Sequence, residues 1–275
     1  MVYQFGLIGH PVSQSKSPII HNYFLKNMGF NGQYNLYDVL ESQLSKKVIE
    51  LRENNIDGFN VTVPYKEKII PLLDGLDEKA EKLQSVNTVK REKEKLIGYN
   101  TDGVGYLESL RQAYPSFIKH TSKKNILLLG AGGAARGIYY TLQEFRPARL
   151  DIANRTVNRA YDICDGYQNS SVYSLSEVEG CLSKYDLIIQ TTNIGMEPDD
   201  KKQIISLKYL SSATIVSDIV YKPKLTQFLN EAKQRKANLL FGDTMLWYQA
   251  AKSFEIWTNH SVDGLEPFEF EKGVI

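Results

Sequence analysis

Asn125-Ile126-Leu127-Leu128-Leu129-Gly130-Ala131-Gly132-Gly133-Ala134-Ala135 is the stretch that decides how this chain of 275 residues is read. Its apolar start has the length of a strand buried on both faces, the kind found in parallel sheets. The G-x-G-x-x-A run that follows opens a helix. In such a turn the first glycine permits the tight bend and the second lets backbone approach a pyrophosphate. The small third position brings helix and sheet together, and the unpaired N–H groups of the helix face the phosphates. A glycine-rich turn without a ligand is the bland alternative. The strand–turn–helix context favours a dinucleotide site.

Working outward, further strands are expected at residues 149–153, 171–174, 186–190, 214–218 and 238–241, separated by helical segments. Six such strands predict a doubly wound Rossmann sheet. A last helix is expected over 243–257. At the end of the second strand a carboxylate would accept from the ribose hydroxyls of NAD. Asn154-Arg155-Thr156 stands there instead, with Arg159 a helical turn later. A guanidinium and a hydroxyl suit a 2′-phosphate, so the expected cofactor is NADP(H). Only His260 follows the nucleotide fold, which argues against a histidine-based 2-hydroxy acid dehydrogenase.

The first hundred residues alternate strand and helix signals: strands at 2–8, 33–39 and 59–63, and a hairpin over 86–91 and 96–100. Ser17 is expected to cap a helix that carries Ile20, Phe24 and Met28 and stops at Gly29. Leu44, Val48 and Leu51 mark a second helix face, and Asp102 is expected to cap a third helix. Three polar segments stand out. Val12-Ser13-Gln14-Ser15-Lys16-Ser17-Pro18 places hydroxyls before a helix N-terminus, a setting for a carboxylate. Asn60 and Thr62 share one face of a strand that leads to Lys66. Asn100-Thr101-Asp102 joins a strand to a helix. Singly each reads equally well as a turn or a cap. Together, beside a nucleotide domain, they point to a substrate site.

Composition sets the outer bounds. There are 33 basic and 32 acidic side chains, a net charge of +1, so no bulk field draws this chain to nucleic acid or an acidic membrane surface. Apolar residues make up 42%, within the range of soluble globular proteins. Cys164 and Cys181 are the only cysteines and lack metal-ligand spacing, so neither a disulfide framework nor a metal site is expected. No signal-peptide pattern or apolar run of membrane-spanning length is present, and the expected location is cytoplasmic. The expected partner is a small-molecule substrate, and the expected state is a monomer or homodimer.

The motifs together closely resemble shikimate dehydrogenase, within the shikimate/quinate dehydrogenase family. They are Ser13-Gln14-Ser15-Lys16-Ser17-Pro18, Asn60-Val61-Thr62-Val63-Pro64-Tyr65-Lys66, Ser85-Val86-Asn87-Thr88, Asn100-Thr101-Asp102-Gly103, the glycine run through Arg136, Asn154-Arg155-Thr156, Asp218-Ile219-Val220-Tyr221-Lys222-Pro223, and Gly242-Asp243-x-Met245-Leu246-x-x-Gln249. They follow the family's order along essentially the whole chain.

The resemblance implies an α/β fold of two domains with a cleft between them. A substrate-binding domain would comprise 1–104 and 241–275, and a Rossmann NADP-binding domain 105–240. It implies reversible NADPH-dependent reduction of 3-dehydroshikimate to shikimate, in aromatic amino-acid biosynthesis. Lys66 would be the general acid/base and Asp102 its partner. Ser13 and Ser15 would hold the substrate carboxylate, with Asn60, Thr62, Asn87, Asp102, Tyr221 and Gln249 around the ring hydroxyls. Cofactor contacts would come from Gly130, Ala131, Gly132, Gly133, Ala134, Asn154, Arg155, Thr156, Arg159, Ile219 and Gly242. One segment departs. The family usually reads Asn-Ala-Thr-Ser-x-Gly-Met in a loop beside the nicotinamide, where this chain has Gln190-Thr191-Thr192-Asn193-Ile194-Gly195-Met196. A quinate- and NAD-accepting dehydrogenase, an S-adenosylmethionine methyltransferase and a silent NADPH-binding regulator are the competing readings. Arg155 argues against the first two, and the Lys66–Asp102 pair against the last.

Overall fold

In the computed structural model, which describes residues 2–267, the chain begins β1 (Tyr3–Gly9), α1 (Ser17–Asn27), β2 (Gly32–Asp38), α2 (Leu44–Glu53), β3 (Gly58–Val61), β4 (Gly75–Leu76), α3 (Glu78–Leu83), β5 (Thr88–Glu92) and β6 (Lys95–Tyr99). It continues α4 (Asp102–Ala113), α5 (Pro115–Lys119), β7 (Asn125–Leu129), α6 (Gly133–Gln143), β8 (Arg149–Ala153), α7 (Val157–Cys164), β9 (Val172–Tyr173), α8 (Leu175–Glu179), β10 (Leu187–Gln190), β11 (Ile215–Asp218), α9 (Gln227–Gln234), β12 (Asn238–Leu240) and α10 (Gly242–Thr258). The chain divides into two units, Met1–Asp102 with Trp247–Ile275, and Gly103–Leu246. The second division falls inside α10. Among the described residues, no helix is long and apolar enough to cross a membrane.

The second unit is built on a six-stranded parallel sheet in the order β12-β11-β10-β7-β8-β9. In β7, Ile126 and Leu128 enter one core with Ala135, Ile138 and Leu142 of α6. Leu127 and Leu129 enter the opposite core with Phe228 and Leu229 of α9. Alternate residues of a strand point to opposite faces, so a sheet covered on both sides needs the unbroken apolar run. The strand expected over 171–174 is shorter. Ser174 leaves it to cap α8, its hydroxyl accepting from Glu177 N–H while Glu177 receives Ser174 N–H.

The first unit has a mixed sheet, ordered β2-β1-β3-β5-β6-β4, with β3, β5 and β6 antiparallel in sequence. Ile8, Phe59 and Val61 pack with Leu44, Val48 and Leu51 of α2 on one face. An aromatic group holds the other: Phe5 stacks on Trp257, and Phe24 meets Trp247 and Phe254 edge-on. Trp257 also donates Nε1–H to Val89 O at 2.9 Å, which seats α10 on this sheet.

Three local expectations are corrected. Ser17 lies inside α1 instead of capping it, because the Ser15 hydroxyl accepts the Ser17 N–H at 3.2 Å. The strand expected over 59–63 ends at Val61, where Tyr65 N–H turns back to Thr62 O. Asp102 is the first residue of α4 and not its cap. Asn100 Oδ1 accepts the Asp102 N–H, leaving the Asp102 carboxylate for other partners.

Candidate active site

Lys66 sits in the turn after β3, and its Nζ donates to Asp102 Oδ2 at 2.6 Å. The Asp102 side chain is nearly buried at 6% exposure, while Lys66 keeps 16%, so the cation retains a route to solvent. The other carboxylate oxygen, Oδ1, accepts from Asn87 Nδ2 at 2.9 Å. Asn87 is itself fixed: its Oδ1 accepts the Thr101 N–H at 2.8 Å, and its amide also reaches Gln249 Oε1 at 3.4 Å. Residues far apart in sequence thus converge on one carboxylate. The segments flanking β5 and β6 supply Asn87 and Asp102, and α10 supplies Gln249, which meets Asn87 and not the carboxylate.

Asn60 has a different place from the one expected. It is buried, its Oδ1 accepts from Tyr34 O–H, and its Nδ2 donates to Asn87 O, Thr88 Oγ1 and Ser253 Oγ at 3.0 to 3.2 Å. With both amide hydrogens engaged it supports Asn87 from behind. Behind it His21 stacks on Tyr34 at 4.4 Å, and complete burial lowers its pKa to about 3, so the ring is neutral near pH 7. The hydroxyls at α1 are also rearranged. Ser13 is exposed, whereas Ser15 Oγ donates to Ser17 Oγ at 3.2 Å beside the helix N-terminus. Ser17, although among the hydroxyls noted before the helix, and Ser253 were not singled out as site residues in the sequence. Ser17 had a simpler reading as a cap, and Ser253 carried no signal beyond its place one turn after Gln249. Thr62 is half-buried just past β3, Gln249 is half-buried on α10, and Lys252, on the same helix face, is exposed and paired with Glu255.

In the second unit the glycine run follows β7 as expected. Gly130 has φ +113°, and a Cβ there would meet Thr191 Oγ1 at 2.6 Å, so this position admits only glycine without strain. At Gly132, which precedes α6, an added Cβ would meet nothing within 4 Å. The helix N-terminus is therefore open to an approaching anion and has no acidic side chain in its first turn. Asn154 Nδ2 closes the turn after β8 onto Thr156 O at 2.8 Å. The side chains of Arg155 and Arg159 are exposed and make no hydrogen bond or ion pair with the described residues. Two unpaired guanidinium groups beyond β8, with an open helix terminus beyond β7, fit a dinucleotide carrying a 2′-phosphate. Gly133 and Ala134 form the first turn of α6, and Ala131 is buried in the core below the loop. Gly242 is required by close approach, since a Cβ would lie 2.5 Å from Ile219 O and 2.7 Å from Val220 O. Tyr221 is half-buried in the loop after β11.

The segment that departs from the family pattern is held by its first residue. Gln190 is fully buried at the end of β10. Its Nε2 donates to Ile194 O at 3.0 Å and Asp218 Oδ1 at 3.1 Å, and its Oε1 accepts the Thr192 N–H. Asp218 also accepts from Thr226 O–H at 2.7 Å and Val220 N–H at 2.9 Å. Burial pushes its pKa up to about 7 against these hydrogen bonds.

Comparison with known proteins agrees along the chain. Residues 7–89 match the shikimate dehydrogenase substrate binding domain, 113–222 the shikimate/quinate 5-dehydrogenase model, and 244–265 the shikimate 5′-dehydrogenase C-terminal domain. A shikimate dehydrogenase (NADP+) of Oceanobacillus iheyensis is 45% identical over 97% of this chain and 96% of its own. A crystal structure of a shikimate dehydrogenase in complex with NADP+ superposes with TM-score 0.86 at 38% identity, covering 94% of this chain and 91% of that one. The Thermus thermophilus shikimate 5-dehydrogenase in complex with NADP(H) and shikimate gives 0.84 at 30% identity, over 95% of each chain. With such identity over nearly the full length of both chains, this chain belongs to the shikimate dehydrogenase family.

Proposed function

We propose that the chain catalyses the reversible NADPH-dependent reduction of 3-dehydroshikimate to shikimate, with Lys66 moving the proton at the reacting oxygen. The observation that carries this reading is the Lys66–Asp102 pair, held by buried donors yet open at the ammonium. In this reading the unit containing Lys66 is the substrate-binding domain and Gly103–Leu246 is the NADP-binding domain.

When bound, the cofactor supplies the hydride that reduces the carbonyl carbon. The chain must then stabilise and protonate the oxygen that gains negative charge. Lys66 Nζ does both, first as a cation beside the oxygen and then as proton donor; in the reverse direction it takes the proton back. Asp102 cannot drift, because Asn87 fixes one oxygen and Lys66 the other, so the ammonium keeps one direction. Gln249 presents an amide group for hydroxyls and Thr62 a hydroxyl, while Asn87, its amide engaged by Asp102 and Thr101, holds the Asp102 carboxylate in place. Ser15 and Ser17, at the α1 terminus, are suited to a carboxylate. Ser13, exposed beside them, keeps the role the resemblance implies, and Asn60 is given a smaller one as a support for Asn87. Arg155, Arg159, Asn154 and Thr156 hold the 2′-phosphate end of the cofactor.

The test is spectrophotometric: purified protein with shikimate or quinate, paired with NADP or NAD, followed by the absorbance of reduced cofactor. Turnover with shikimate and NADP is the expected result. Turnover confined to quinate or to NAD would replace the substrate or the cofactor. Failure of all four pairings with retained NADPH binding would leave a regulator in place of an enzyme.

A further inference from the structure

The strand ends that flank the glycine loop carry a buried polar group that none of the steps above uses. Register aligns Leu129, Gln190 and Asp218 in one row across β7, β10 and β11. Chain order reverses between β7 and β10, since β7 continues to β8 on one side while β10, β11 and β12 lie on the other. In doubly wound sheets the ligand lies outside the carboxyl ends of the strands at that reversal, one mononucleotide to each half. The half with the glycine run and Arg155 takes the 2′-phosphorylated nucleotide. The carboxyl ends of β10 and β11 therefore face the nicotinamide half.

The wall at that place is the turn 191–196, and it touches the glycine loop. Thr191 donates N–H and O–H to Leu129 O at 2.9 and 2.8 Å, and Thr191 and Thr192 fill the space a Gly130 Cβ would need. Within the turn, Ile194 N–H reaches Thr192 Oγ1 at 3.2 Å, and Gly195 takes φ +87°. The bonds that draw the turn onto β10 come from Gln190, whose amide accepts at Thr192 and donates at Ile194. That amide is aimed by Asp218, which Thr226 and Val220 hold in turn. The Ile219 N–H also donates to Gln190 O at 3.1 Å.

We propose that Gln190, clamped by Asp218, is a positioning residue for the nicotinamide half of the cofactor, setting the shape of the turn 191–196. The proposal rests on the NADPH reading above. Gln190 is buried under the turn and acts through its backbone.

The experiment compares two ligands on the full chain: NADPH, and 2′-phospho-ADP-ribose, which keeps every phosphate but lacks the nicotinamide. Gln190→Ala and Gln190→Met are titrated beside the parent protein by calorimetry, and kcat and KM are measured for shikimate. Methionine keeps the volume and removes the hydrogen bonds, so it serves where alanine fails to fold. The parent should bind NADPH more tightly than 2′-phospho-ADP-ribose. Both variants should lose that preference while binding 2′-phospho-ADP-ribose within about twofold of the parent. Their kcat should fall by about 10- to 100-fold, the scale of an ångström-sized misplacement, with KM for shikimate unchanged. Asp218→Ala should reproduce the loss, and Asp218→Asn, which keeps an acceptor oxygen for Gln190, should lose less. The proposal is overturned if Gln190→Met keeps the preference and a kcat within threefold of the parent. It is equally overturned if both ligands weaken together, or if the parent does not distinguish them. Should the parent turn over none of the substrates, the proposed activity fails, while the paired titration still decides the place of Gln190.

Discussion

Asp102 in the first unit and Asp218 in the second are both buried among polar partners, and the partners differ in kind. Asp102 faces a lysine, with an asparagine amide on its second oxygen. Asp218 faces only neutral donors: Thr226, Val220 N–H and the Gln190 amide. A carboxylate paired with a partly open cation is a unit that can hold and pass a proton at the cation. A carboxylate surrounded by neutral donors is a brace, and without a compensating cation burial raises its pKa to about 7. Both positions are buried, the Asp102 side chain accepting two hydrogen bonds and the Asp218 side chain three among the described residues. The lysine counter-charge sets Asp102 apart from Asp218; a counter-charge alone does not mark a reacting pair, since buried Asp151 is bridged to exposed Arg149 and braced by Tyr185.

The sharpest way to break this contrast is at the cation. Lys66→Ala is expected to lower kcat by about 10²- to 10⁴-fold, the usual scale of a general acid–base group, with KM for shikimate changing far less. Steady-state kinetics with saturating NADP decide it, and a kcat within a fewfold of the parent would remove Lys66 as proton donor. Asp102→Asn keeps the shape but removes the counter-charge, and should cost turnover about 100-fold through misorientation of the ammonium. An unchanged kcat in this variant would show that the pair is structural.

A cation in the other unit gives the complementary case. Arg155→Ala should raise KM for NADP by about 10- to 100-fold, the value of a charge-assisted contact, and leave kcat within about threefold. It should also narrow the preference for NADP over NAD, and equal narrowing of kcat would contradict a pure binding role.

The smallest expected effect is on stability against pH. Asp218 has its pKa raised from 3.8 to about 7, so between those values the native state binds more protons than the unfolded chain. Its contribution to stability is therefore lost as pH rises through that window. His21 has the opposite sign: lowered from 6.5 to about 3, it charges more readily when unfolded, and stability falls as pH drops through that range. Thermal midpoints from pH 4 to 8 should show Asp218→Asn steepening the rise of stability with pH, and His21→Phe flattening it. Identical profiles for parent and both variants would show that neither group titrates differently on folding.

Much of this was legible in the residues. The run 125–129 announced a strand covered on both faces, and Leu44, Val48 and Leu51 announced the buried face of α2. The glycine run, Arg155 and Arg159 announced a phosphate-bearing dinucleotide. The motifs around Lys66 and Asp102 announced one polar site, and the two side chains do form an ion pair. The illegible part lay in hydrogen bonds between distant segments. Asn60 looked like a free donor until Ser253, 193 positions away, took one of its hydrogens. Ser17 looked like a cap until Ser15 claimed its N–H. Gln190 looked like a departure from a pattern until Asp218, 28 positions on, was found aiming its amide.

By itself the sequence determined periodicity, local turns and the inventory of chemical groups, since strand and helix repeats and glycine requirements act over a few neighbours. Only the tertiary structure decided which polar groups remain available. A donor that is satisfied inside the fold cannot serve a ligand, and satisfaction depends on partners brought together by folding.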